Sequence, residues 1–183
     1  MAIQSSRIQL LTAHPRRSDG TYVLYWMQQS QRASFNPALE IAVEEANVLD
    51  LPVLVCFGLT DGATGYPEAN ARHYAFMLQG LAEVERELAD RGIGFVIRKG
   101  RPDTVAVALG SDAAVIICDR GYLKPQRDWR AALVAATDRL VIQVEGDVVV
   151  PVERASQKHE VAARTLRPTR AAMMRTRLPT WRS

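Results

Sequence analysis

Short, almost wholly apolar runs alternate along the chain with longer segments whose apolar residues recur every three or four positions. Each run is bounded by Gly, Pro, Asn, Asp or Ser, and several are rich in β-branched and aromatic residues, as is typical of buried strands. The pattern predicts five strands, within residues 21–28, 52–59, 94–100, 113–119 and 140–152.

Helical spacing fills the intervals between these runs. Asn36-Pro37 has the cap and first-turn residues of a helix start, and Gly92 is placed to end the longest helix as a left-handed cap. The Gly92-Ile93-Gly94 string precedes a strand, so it is a helix stop and not a dinucleotide fingerprint. The predicted helices begin at Asn36-Pro37, cover about 68–91, 102–109 and 125–137, and resume near Ser156.

Continuous apolar strands that alternate with helices indicate a parallel sheet covered on both faces. Right-handed crossovers then give a doubly wound, Rossmann-like α/β fold with five parallel strands. We expect a lead-in over residues 1–20, the α/β domain over 21–152, and a C-terminal helix with a basic tail over 153–183.

Composition and charge narrow the classes of protein. No apolar run approaches the roughly 18 residues of a membrane span, and the start lacks a secretory pattern, so we expect a cytoplasmic protein without membrane contact. Cys56 and Cys118 lie in apolar runs and read as small buried residues. Residues 1–152 hold 15 Lys and Arg against 18 Asp and Glu, whereas residues 153–183 hold 8 against 2. This basic tail either binds an anionic partner or is solvated.

Ligands of doubly wound sheets bind beyond the carboxyl ends of the strands, where the strand order reverses. Asp119 ends an apolar strand there, and its carboxylate either accepts ligand hydrogen bonds or caps the next turn. The residues that the pattern brings to this edge are Met27, Gln28 and the loop to Arg32, then Phe57 and Gly58, then Asp119, Arg120 and Gly121, and finally Glu145 and Asp147.

Other signals of chemistry are weaker. The loop DGATGYP could hold a phosphate on its backbone amides, or could be a plain loop without a lysine. The three histidines have no metal-ligand spacing with the cysteines. Trp26 and Trp129 lie on apolar stripes that favour core packing.

Four longer strings carry a family resemblance. They are YWMQQSQR (25–32), ARHYAFMLQGLAEVERELADRGIGF (71–95), CDRGYLKPQRDWR (118–130) and VVVPVERASQKHEVAARTLRP (148–168). Together they resemble the amino-terminal part of class II cyclobutane-pyrimidine-dimer photolyases, from about Tyr22 to Pro168. After Pro168 the sequence no longer resembles that family.

The resemblance implies a light-driven DNA repair enzyme of two domains. An α/β domain that can hold an antenna chromophore comes first, and a larger helical domain then binds FAD and the damaged DNA. The chain stops where the helical domain would begin, so we expect no catalytic residues, no repair and weak or no DNA binding by this chain alone. The apolar segment around 148–166 predicts a homodimer through the C-terminal segment.

Eight positions are expected by resemblance to border the antenna chromophore, which would be a deazaflavin, a folate or a flavin. Phe57 would stack on it, Asp119 would accept its hydrogen bonds, and Arg32 and Arg120 would contact an anion or ring edge. Gly58 and Gly121 would allow close approach, and Met27 and Gln28 complete the set. Two alternatives are a stand-alone nucleotide- or flavin-binding module and a nucleic-acid binder that uses the basic tail.

Overall fold

The computed structural model of the chain describes residues 3–60, 66, 69–155 and 164. It divides into a unit over Met1–Gly146 and a second unit over Asp147–Ser183. Within the described part of the second unit, a short helix covers Val152–Ala155. The predicted helix start near Ser156 and the tail beyond it lie outside the described residues, Arg164 excepted.

The first unit is built on a six-stranded sheet. Its strands are β1 (Ile8–Leu10), β2 (Tyr22–Trp26), β3 (Val53–Leu59), β4 (Gly94–Lys99), β5 (Ala113–Asp119) and β6 (Val141–Val144), in the order β1-β6-β5-β2-β3-β4. All neighbours are parallel except β1 and β6, which are antiparallel. The doubly wound α/β fold is therefore confirmed.

One strand more is present than the five predicted. The region expected to be a lead-in supplies β1, whose Ile8 lies opposite Val144. This strand has three residues, two of them exposed, so it lacks the apolar run that revealed the others. Its pairing covers an edge of β6 that would otherwise expose backbone donors and acceptors.

Four helices connect the strands. They are α1 (Pro37–Leu49), α2 (Ala71–Asp90), α3 (Pro102–Gly110) and α4 (Lys124–Ala136). The Asn36 side chain accepts from the amides of Ala38 and Leu39, and Asn70 caps α2 in the same way. Pro37 and Pro102 occupy the first helical turn, where a missing N–H is harmless.

The sheet separates two apolar layers. One face packs α1 and the carboxyl-terminal half of α2 against alternate residues such as Val23, Tyr25 and Val55. The other face packs α3 and α4 against Leu24, Trp26 and their neighbours, with Trp129 and Leu133 inward. The predictions that both cysteines, Trp26 and Trp129 are buried are confirmed.

The apolar residues of α2 are buried only over part of the helix. Leu81, Val84 and Leu88 are fully packed, whereas Phe76 is 79% exposed and Leu78 is exposed. The amino-terminal half of α2 thus extends beyond the core toward the carboxyl edge of the sheet. No helix among the described residues is long and apolar enough to cross a membrane.

Candidate functional site

The strand order reverses between β2 and β5. The chain leaves β2 toward β3 and β4 on one side and later returns to β5 on the other, so the loops after β2 and β5 diverge. A crevice forms between such loops, and ligands of this fold class bind there. The residues that shape it follow Trp26 and Asp119.

Asp119 organises the loop after β2. Its Oδ2 accepts hydrogen bonds from the backbone amides of Gln28 (3.1 Å), Gln29 (2.9 Å) and Ser30 (3.0 Å). Its Oδ1 accepts from the Tyr25 hydroxyl at 2.8 Å. Burial raises the pKa of this carboxyl, while the three amides and the hydroxyl act to lower it.

Asn36 fixes the other end of the same loop. The side chain is completely buried, and its Nδ2 donates to the Tyr25 hydroxyl (3.0 Å) and to the carbonyls of Ser30 (3.1 Å) and Arg32 (2.9 Å). Burial and then Asp119 raise the pKa of Tyr25 well above its ordinary value, so the phenol stays neutral. Because buried polar networks of this kind hold one geometry when satisfied, residues 27–36 form a rigid rim.

Gln28 ties the ends of β2 and β3 together. Its Oε1 accepts from Trp26 Nε1 (3.2 Å) and the Gly58 amide (3.3 Å), and its Nε2 donates to the Gly58 carbonyl (3.2 Å). The Gln28 side chain thus links β2 and β3 beyond Trp26 and Cys56, the last pair of residues that joins the two strands.

A cleft of about 260 Å³ lies beyond these strand ends. It is formed by the rim after β2, the end of β3, the first turns of α2, and α4. Its lining is Gln28, Gln29, Gln31, Phe57, Thr60, Tyr66, Ala69, His73, Tyr74, Met77 and Gln126. Among these described residues there is no lysine, arginine or carboxylate.

Gln126 closes the side of the cleft that α4 supplies. Its Nε2 donates to Gln29 Oε1 and to the Tyr66 hydroxyl (3.4 Å), and its Oε1 accepts from the Leu123 amide (3.0 Å). Tyr66 in turn meets Trp129 edge-to-face at 5.9 Å between ring centroids. The wall therefore connects to the core beneath α4.

Two of the eight predicted site residues, Gln28 and Phe57, line this cleft. Met27 does not, because its side chain is fully buried in the layer beneath α1. Asp119 borders only a smaller neighbouring hollow, and its oxygens are engaged by the protein's own donors.

The other four predicted residues contact the chain itself. A Cβ on Gly58 would lie 2.6 Å from Pro102 Cα, and one on Gly121 would lie 2.5 Å from Gln126 Oε1. The two glycines therefore allow close contact with Pro102 and Gln126 of the chain itself. Arg120 lies 3.6 Å from the buried Glu145 and over the Tyr122 ring. Arg32 is exposed and donates to the Phe35 carbonyl.

Sequence reasoning missed most of the lining. Tyr74 and Met77 have the helical spacing of the buried Leu81, Val84 and Leu88, but they lie on the half-buried part of α2. Gln29 and Gln31 belong to the loop up to Arg32, which the sequence pattern had already brought to this edge. The phosphate-loop prediction falls largely outside the described residues. Across the described ranges no group of three His, Cys, Asp or Glu side chains is placed to hold a metal.

Comparisons with known proteins identify relatives over most of the chain. The family model described as DNA photolyase matches residues 23–182. The match extends past Pro168, so the expectation that the sequence leaves the family there is wrong. A deoxyribodipyrimidine photo-lyase of Methanothermobacter thermautotrophicus is 43% identical over 166 residues, 91% of this chain and 37% of that protein. One of Potorous tridactylus is 34% identical, over 88% of this chain and 31% of that protein.

The chain thus spans about a third of the length of these curated relatives. Among solved structures, a universal stress protein from Archaeoglobus fulgidus in complex with dAMP gives a TM-score of 0.47 at 14% identity, over 69% of this chain and 98% of that one. That likeness is too low to bear on function. The family match and the sequence relatives decide the assignment: the chain belongs to the DNA photolyase family.

Proposed function

We propose that this chain is the antenna-chromophore module of a class II photolyase, which serves light-driven repair of cyclobutane pyrimidine dimers in DNA. The family match and the name of the relatives support the repair reaction, and the four strings compared above support the class. A cytoplasmic location belongs to the proposal, since Cys56 and Cys118 are both free and buried.

The cleft beyond β2 and β3 is the observation that carries the antenna role. Its volume of about 260 Å³ lies just below the roughly 300 Å³ at which small-molecule pockets begin. That size suits a fused ring system and is too small for a whole FAD. Phe57 offers an aromatic contact, and the glutamines offer amide donors and acceptors for the edges of a heterocycle.

The charge of the lining favours a ring over a phosphate. Phosphate groups are commonly bound by Arg, Lys or a helix N-terminus with free amides. Here the described lining has no Arg or Lys, and the Asn70 side chain already accepts from the amides of Arg72 and His73 at the start of α2. We therefore place the ring of a deazaflavin, flavin or folate in the cleft, with any charged tail outside.

Such a chromophore, when bound, supplies absorption of light and transfer of excitation energy to a second cofactor. The chain's own residues bind and orient the ring: Gln28 holds the strand ends together and Phe57 forms part of the cleft wall. FAD, the cofactor expected of the family's repair reaction, is not assigned to any described residue.

Titration with 5-deazariboflavin, riboflavin and 5-formyltetrahydrofolate tests the proposal. We expect at least one of them to bind, with a change in absorption. Met77→Trp, which fills the cleft, should weaken that binding at least tenfold. Phe76→Trp is the matched control, because Phe76 is adjacent on the same helix but is exposed and lies outside the lining. Absence of binding by the parent protein, or equal binding by both variants, would reject the antenna site.

Titrations with FMN and with DNA discriminate the two alternatives. Tighter binding of FMN than of riboflavin would indicate a phosphate site and a nucleotide-binding module. Salt-sensitive DNA binding that is lost with residues 153–183 would indicate a nucleic-acid binder, because phosphate contacts release counterions.

A further inference from the structure

Tyr74 differs from every other tyrosine in the chain. Its hydroxyl oxygen is buried and has no hydrogen-bond partner among the residues that the structure describes. The other four hydroxyls are paired, with Leu109 O for Tyr22, Asp119 for Tyr25, Gln126 for Tyr66 and Glu145 for Tyr122. Unpaired buried polar groups are rare in native proteins, and each calls for a physical reason.

The position of Tyr74 supplies that reason. Its side chain lines the same cleft as Phe57 and the glutamines. Its backbone amide makes the first hydrogen bond of α2, to the Asn70 carbonyl at 3.2 Å, and His73 Nδ1 accepts from the Asn70 amide at 3.2 Å. The capping box thus fixes the backbone of the first turn of the helix, from which the Tyr74 side chain extends.

We propose that Tyr74 is a specificity-determining residue of the cleft, whose hydroxyl donates a hydrogen bond to a ring carbonyl of the bound chromophore. The inference rests on the antenna function proposed above and narrows it. The ligand is a planar, uncharged heterocycle with a carbonyl-bearing edge, and it enters ring first. Its phosphate or glutamyl tail stays outside, because the described lining holds no lysine or arginine to receive an anion.

This role predicts that stability and affinity change independently. Tyr74→Phe removes a hydroxyl that bonds to nothing in the free protein, so the urea midpoint of the free chain should stay the same or rise. The same variant should bind riboflavin and 5-deazariboflavin about tenfold more weakly, which is the effect expected of one lost hydrogen bond to a ligand.

Tyr22→Phe is the matched control. It removes a hydroxyl that donates to the Leu109 carbonyl at 2.5 Å, near the amino end of β2 and away from the cleft. We expect a lower urea midpoint with unchanged affinity for both probes. The infrared carbonyl stretch of the bound probe should move to higher wavenumber in Tyr74→Phe and stay in place in Tyr22→Phe.

The outcomes separate the two proposals. If the parent protein binds none of riboflavin, 5-deazariboflavin and 5-formyltetrahydrofolate, the antenna site and the role of Tyr74 are both rejected. If the parent binds a probe and Tyr74→Phe binds it equally well with the same carbonyl stretch, only the role of Tyr74 is rejected. A lower urea midpoint in Tyr74→Phe would also contradict it, because the hydroxyl would then have a structural partner.

Discussion

Asp119→Ala should destabilise the chain and open the rim of the cleft. The substitution leaves four donors without their acceptor. The Ser30 amide and the Tyr25 hydroxyl are buried, whereas the amides of Gln28 and Gln29 are partly buried and can reach water. The Tyr25 hydroxyl has one replacement acceptor, Asn36 Oδ1, at a long 3.4 Å.

The expected loss follows from these contacts. A buried donor left without a partner costs about 1–3 kcal/mol, and one that is rehydrated costs much less. The stranded Ser30 amide and the weakened Tyr25 bond together predict a loss of about 2–4 kcal/mol, after allowance for the burial penalty that the missing carboxylate no longer incurs. This is a large part of the roughly 5–15 kcal/mol that stabilises a typical domain.

Urea denaturation followed by circular dichroism measures the change. Asp119→Asn keeps one acceptor oxygen and should lose less. Asp128→Ala removes an exposed carboxylate that pairs with Lys124, so it should change stability by less than about 0.5 kcal/mol. Hydrogen exchange of the amides of residues 28–30 should accelerate in Asp119→Ala, and chromophore affinity should fall about tenfold because the rim is displaced.

Two results would refute this reasoning. One is an Asp119→Ala protein within about 0.5 kcal/mol of its parent, since four lost hydrogen bonds cannot be replaced at so small a cost. The other is unchanged exchange protection at residues 28–30, which would mean that the loop is held by other contacts.

Four further predictions address backbone, pH, assembly and activity. Gly58→Ala should lower the free energy of unfolding by about 1–3 kcal/mol, because the new Cβ would meet the backbone at the start of α3. Gly80→Ala, where the new Cβ has open space, should stabilise α2 by about 0.5–1 kcal/mol. Urea midpoints that move in the same direction for both variants would contradict this. Burial raises the pKa of the Asp119 carboxyl above its ordinary 3.8, so the folded chain binds a proton at this carboxyl more tightly than the unfolded chain does. As the pH rises from 3.8 through the folded-state pKa, the parent should therefore lose stability relative to Asp119→Asn. A gain in relative stability over that range would be inconsistent with the raised pKa. Light scattering should find a dimer for the full chain and a monomer for a version that ends at Pro151, because the apolar C-terminal segment should bury itself between copies; a dimer in both would place the interface elsewhere. The 183-residue chain should show no light-dependent repair of pyrimidine dimers even with added FAD, and repair under blue light that is absent in the dark would contradict this.

The sequence alone determined the layered fold, because strands and helices have different hydrophobic periods. Buried parallel strands appear as unbroken apolar runs, and their alternation with helical stripes leaves few topologies. Asn36 and Pro37 marked a helix start that the structure has, because capping depends only on neighbours in the chain. The sheet edge at which the cleft lies followed from the same argument, and the family resemblance rested on local strings.

Tertiary structure decided what the residues at that edge do. For Asp119 the sequence left a ligand contact and a cap as alternatives. In the fold its carboxylate accepts hydrogen bonds from the amides of residues 28–30, which lie in the loop after β2, some 90 positions earlier in the chain. β1 was invisible because its pairing with β6, and not its own polarity, makes it a strand. Tyr74 and Met77 carried the helical spacing of a core stripe, yet α2 extends past the sheet, so these residues line a cleft. Hydrophobic period reports which face of a helix turns inward; whether the sheet reaches far enough to cover that face is set by long-range packing.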